Sequence, residues 1–178
     1  MDREENLARP RPAAGERVRG SVYVPPIDPA LIAPPSREIY GLMGEANIVR
    51  MMEDFYRELE GSSVRALFPE DMVAASRRSA AFFVGLLGGP PLYHQRYGNP
   101  MMRARHMSFV ITPRAREEWL ACFERVLAGA PGRYGFPAEH LQGFRAFLHA
   151  FSLWMVNTED EVHAEDSAGQ APRDRRNS

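Results

Sequence analysis

The sequence predicts an all-α fold, on three observations. Between residues 37 and 158 apolar side chains recur at helical spacing, no segment alternates apolar and polar residues as a half-buried strand does, and the breaks between apolar stripes fall on glycine and proline. A chain of 178 residues that is 44% hydrophobic and 25% charged is of the size and composition of one domain with a real core. No internal repeat is present.

The flanks read differently. Residues 1–36 hold seven of the fifteen prolines and little periodic hydrophobicity, so they are expected to form a disordered arm in which only Val22-Tyr23-Val24 could dock on the domain. Residues 159–178, EDEVHAEDSAGQAPRDRRNS, are expected to form a second disordered tail.

Within 37–158, Ile48, Met51, Met52, Phe55, Tyr56 and Leu59 fall on one stripe of a first long helix. The run SSVRALFPED follows, with Pro69 disfavouring helix at Phe68, and the next helix, in VAASRRSAAFFVGLL, stops at GGPP. Residues 91–111 read as a loop with a short helix, because Gly98-Asn99-Pro100 interrupts them. Thr112 and Pro113 supply an N-cap and a first-turn proline to a long helix carrying Trp119, Phe123 and Val126 or Leu127, which ends near GAPGRYGFP. A last helix over 138–156 keeps Leu141, Phe144, Leu148, Phe151 and Met155 in phase.

Several function classes lose support. A formal net charge of −1 provides no field to attract nucleic acid or an anionic membrane surface, and no apolar run approaches the ~20 residues needed to cross a bilayer. The single cysteine, Cys122, cannot form an internal disulfide, and MDREENLARP carries acid where a secretory signal needs an apolar core, so a cytoplasmic setting is expected. There is no phosphate-cradling glycine loop, close-spaced His/Cys zinc pattern or obvious partnered nucleophile.

What remains is His106, in the basic, methionine-rich stretch MMRARHMSF between two aromatic-rich helices. A neutral imidazole beside a flat apolar slot can hold a haem iron, with Met102 and Phe109 flanking the ring and Arg103 and Arg105 reaching its carboxylates. A solvated histidine among arginines fits the same residues. His94, His140 and His163 read as surface positions, and His149 lies off its helix's apolar stripe. Tyr56 sits inside an apolar stripe, where its hydroxyl needs a partner that a bound gas or a backbone carbonyl could supply. Trp119 and Phe68 are consistent with core filling as well as with a site.

Taken in order, DFYRELE, LFPED, FFVGLLGGPPLY, GNPMMRARHMSF and REEWLACF resemble the truncated haemoglobins, most closely their second group, over roughly residues 38–157. The resemblance implies a two-over-two helical sandwich holding haem b (iron protoporphyrin IX), with His106 as the proximal ligand. It puts the distal tyrosine on Tyr56, the phenylalanine of the FP-acid-acid block on Phe68 and the tryptophan after the acidic helix start on Trp119. The two distal-helix positions facing bound gas fall on Ala75 and Ser79. Relatives often carry glutamine or leucine where Ser79 stands, so the distal hydrogen bonds are expected to rest mainly on Tyr56 and Trp119, and the small Ala75 leaves ligand entry less hindered.

Three functions follow from the resemblance and the residues. The first is reversible binding of dioxygen and other diatomic gases, in storage, sensing or oxygen and nitric oxide redox chemistry. The second is a peroxidase or nitric oxide dioxygenase; the 178 residues show no flavin or nicotinamide domain, so it would need an external reductase. The third is a haem-free interaction module using PPIDPALIAPP as a docking peptide. No heptad seam is sustained, so a monomer or weak homodimer is expected.

Overall fold

A computed structural model describes residues 23–160; the rest of the proline-rich arm and of the polar tail, including Val22 and His163, lies outside the described residues. Eight α-helices occur in the described residues: α1 (Ile39–Met43), α2 (Glu45–Glu60), α3 (Met72–Leu86), α4 (Leu92–Tyr97), α5 (Met102–His106), α6 (Pro113–Leu127), α7 (Ala130–Tyr134) and α8 (Leu141–Met155). The described residues contain no strand, as the period of the apolar residues predicts.

The four long helices form two layers. α2 packs most extensively on α3, α6 packs on α8, and the layers meet chiefly through α2 and α6. All six stripe residues of α2 are buried. Where the layers meet, the Phe55 and Phe123 rings stack with centroids 3.7 Å apart, and Phe83 and Phe144 pack on Phe123 at 5.9 and 6.3 Å. Each aromatic removes a large apolar area from water, so this junction is the centre of the core.

The helix starts follow local chemistry. Asp71 accepts from Ala74 N–H at 2.9 Å to open α3, and Thr112 accepts from Ala115 N–H at 3.1 Å to open α6, with Pro113 in its first turn. The chain after α3 turns at Gly88, whose φ of +108° is a left-handed backbone that side chains rarely adopt. Gly88 and Gly89 let residues 37–40 lie directly on the end of α3, where Tyr40 N–H donates to the Leu87 carbonyl at 3.0 Å.

Three short helices add to the predicted pattern. α1 precedes the first long helix, the stretch 91–111 contains α4 and α5 rather than one short helix, and α7 lies in the GAPGRYGFP segment. α4 buries only Tyr93 and α5 buries no residue, so neither leaves an apolar stripe for periodicity to detect. Of residues 1–36, the described part includes a 3-10 turn at Pro29–Leu31, capped by Asp28; beyond it Ile32 packs on the core and Pro35 is buried.

Asp54 of α2 fastens α7: its carboxylate accepts from the Tyr134 hydroxyl and from Arg133 at 2.7 Å, and it pairs with Arg57. Burial first, then the Asp54 hydrogen bond and charge, push the Tyr134 phenol up from 10.0 to about 12. A folded state that holds this proton more tightly than the unfolded chain gains stability that is complete below pH 10.0 and lost as pH rises through about 12. Urea midpoints are therefore expected to fall between those pH values, and to fall less in Tyr134→Phe.

Candidate functional site

The expected site residues gather in two clusters. The first lies where α2, α3 and α6 meet. Tyr56 is 9% exposed on the buried stripe of α2, and its hydroxyl lies 2.7 Å from the Ser79 hydroxyl of α3. Phe68, held just after a 3-10 turn at Arg65–Leu67, sets its ring edge-on to Tyr56 at 5.9 Å. Phe55 links Tyr56 to Trp119 through two further edge-on contacts, at 5.7 and 5.5 Å. Ala75 lies one turn before Ser79 on α3, half-buried against the core.

Burial raises the Tyr56 pKa, opposed by the Ser79 hydrogen bond and the positive charge of Arg78. The phenol therefore keeps its proton and is available as a neutral donor. Ser79, expected to have only a short reach, meets the Tyr56 hydroxyl because α2 and α3 pack against each other. The Trp119 ring is half-buried and packs edge-on to Phe123 at 4.8 Å.

The second cluster surrounds α5. His106 Nδ1 lies 2.6 Å from the Met102 carbonyl. A carbonyl can only accept, so Nδ1 carries the proton, and in the neutral ring Nε2 is left with a free lone pair. Phe109 lies 6.2 Å from the His106 ring at a tilt of 52°. In the same stretch, Met101, Met107 and Val110 expose 60, 51 and 65% of their surface, so four large apolar side chains, with Phe109, stand open in ten residues. Such a patch marks a place that binds something apolar.

The arginines divide. Arg103, expected to face a carboxylate, instead turns to the end of α8, donating to the carbonyls of Trp154 and Val156. Arg105 is exposed and donates to the Asn99 carbonyl at 3.3 Å. Two residues escaped the sequence reading. Arg78 holds its guanidinium 5.2 Å from the Tyr97 ring centroid and acts on Tyr56 through its charge, and Asn157 hydrogen-bonds to residues 106–111.

The other described histidines stay outside both clusters. His94 and His149 are exposed, and His140 lies 3.4 Å from Glu38. A cavity of about 400 Å³ between α3 and α4, lined in part by Phe82, Leu86 and Tyr93, includes none of the expected site residues. No group of His, Cys, Asp and Glu among the described residues could hold a bare metal ion, and a single imidazole suits an iron whose other ligands come from a macrocycle.

The model of the bacterial-like globin family matches residues 38–156, which span both clusters. The chain belongs to this family. Within it, the chain is 35% identical over 128 residues to the group 2 truncated haemoglobin YjbI of Bacillus subtilis, covering 71% of this chain and 92% of that one. The group II truncated haemoglobin of Bacillus anthracis superposes with a TM-score of 0.63 at 32% identity, covering 74% and 98% of the two chains. The truncated oxygen-avid haemoglobin of Bacillus subtilis gives 0.61 at 30% identity, covering 66% and 98%.

The globin is thus a truncated haemoglobin of the second group, and its two layers of paired long helices are the two-over-two sandwich. Membership implies haem as cofactor and diatomic gases as ligands. The donor chemistry of the α5 cluster fits haem: a single imidazole whose Nδ1 is held by a carbonyl, leaving Nε2 to face outward as a ligand, in a stretch of exposed apolar side chains. No helix among the described residues is long and apolar enough to cross a membrane.

Proposed function

We propose that this globin holds haem b through His106 Nε2 and reversibly binds dioxygen and other diatomic gases against Tyr56. The contact between His106 Nδ1 and the Met102 carbonyl carries this reading, because it fixes the tautomer a haem ligand needs and orients the ring. Met102, Phe109 and Phe68 supply apolar contact to the macrocycle, and the exposed guanidinium groups of Arg105 and Arg78 pair with its carboxylates. Haem supplies the iron at which a diatomic gas is held.

The protein's own contribution lies in the distal donors. The Tyr56 hydroxyl donates to the gas while its oxygen accepts from Ser79, so the two bonds polarise each other. A bond of this charge-assisted kind contributes about 1.5–3 kcal/mol. Trp119 is the second donor, and Ala75 leaves the approach past α3 open. Slow release of oxygen suits storage, sensing or reaction of the held gas with nitric oxide, and any redox turnover draws electrons from an external reductase.

Purified protein titrated with haemin is expected to take up one equivalent and, once reduced with dithionite, to give distinct absorption spectra with oxygen and with carbon monoxide. His106→Leu is expected to lose most of this uptake while keeping its helical circular dichroism. A chain that takes up no haemin would overturn the proposal, and equal uptake by His106→Leu would remove His106 from it.

A further inference from the structure

The α5 helix buries no residue, and from Met101 to Ile111 every side chain is at least partly exposed. Hydrophobic packing therefore does little to fix where His106 stands. The segment also begins under strain, since Met101 has φ +37°, a left-handed conformation unfavourable for a residue with a side chain. Something else holds the imidazole in place.

Hydrogen bonds from the end of α8 do this. The Asn157 side chain donates from Nδ2 to the Phe109 carbonyl at 2.8 Å and to the His106 carbonyl at 3.2 Å, and accepts from Ile111 N–H at its Oδ1 at 3.0 Å. Its own backbone N–H donates to the Ile111 carbonyl at 3.0 Å. Arg103 adds its donation to the Trp154 and Val156 carbonyls from the other end of α5. All of these reach across some fifty residues of chain to residues 154–157, at the end of α8.

We propose that Asn157 is a positioning residue for His106: it clamps the main chain at His106, Phe109 and Ile111 to the end of α8, and so sets the position of the imidazole that ligates haem. The inference rests on the reading of His106 as the haem ligand. The amide is suited to the task because one side chain offers both donors and an acceptor, and the three partners need both. Aspartate keeps the acceptor for Ile111 and loses the donors, placing its charge beside two carbonyl oxygens.

The test compares wild type, Asn157→Ala and Asn157→Asp as full chains loaded with haemin. Two readouts are used: the iron–imidazole stretching band of the reduced, ligand-free protein in resonance Raman spectra, and the rate of haemin transfer to an excess of scavenging apoglobin. Asn157→Ala is expected to shift or broaden the band and to speed transfer about tenfold, in the range seen when outer-shell partners of metal ligands are removed. Asn157→Asp is expected to show the same band change, and it decides the matter if the alanine variant does not fold. Wild-type bands and transfer rates in the folded variants, with only a lower Tm, would overturn the inference. Failure of the wild type to bind haemin would instead overturn the proposed function.

Discussion

Oxygen is expected to leave Tyr56→Phe at least about tenfold faster than wild type, because the variant removes a charge-assisted hydrogen bond of about 1.5–3 kcal/mol and each 1.4 kcal/mol is a factor of ten. The substitution keeps the ring, so the edge-on contacts with Phe55 and Phe68 survive and stability changes little. Ser79→Ala separates two parts of the effect. It leaves the Tyr56 donor in place and removes only the hydroxyl 2.7 Å behind it, so a rise of a fewfold is expected. Stopped-flow displacement of oxygen by carbon monoxide measures both, and an unchanged rate in Tyr56→Phe would remove Tyr56 as the distal donor.

Gly88→Ala is expected to cost about 2–5 kcal/mol of stability, combining a left-handed backbone forced on alanine with an overpacked contact. A Cβ on Gly88 would lie 1.9 Å from the Arg37 carbonyl oxygen, a backbone atom that cannot swing aside as a side chain end can. Relief requires residues 37–40 to lift off the end of α3, which breaks the Tyr40–Leu87 hydrogen bond. Urea unfolding of the apoprotein measures the loss, and the distal cluster should suffer little of it, since Tyr56 and Ser79 lie elsewhere on α2 and α3. An unfolding midpoint equal to wild type would show that the turn can relax.

How much of this was legible in the sequence depends on how local each cause is. The α2 stripe, the Thr112 cap and the stop at GGPP follow from spacing and neighbouring residues, and all appear in the fold. Helices α1, α4, α5 and α7 run five or six residues with at most two buried side chains each, too little pattern for periodicity, so of the four only one short helix in 91–111 was expected. At the site, the linked sequence blocks singled out Tyr56, Phe68 and His106, but not their bonds. Ser79 looked too short because its reach depends on how closely two helices pack. Arg103 looked like a carboxylate partner because sequence gives its charge and not its direction. Asn157 carried no signal in the sequence, since its partners lie 46 to 51 residues earlier in the chain.

The unequal burial along the chain also bears on the order of assembly. The aromatic junction of Phe55, Phe83, Phe123 and Phe144 gathers α2, α3, α6 and α8 without any contribution from α5. Most of the apolar burial that stabilises the fold therefore lies outside the segment that carries His106. If the proposed function holds, the long-helix scaffold is expected to fold without haem, and only the α5 segment to be ordered further by it.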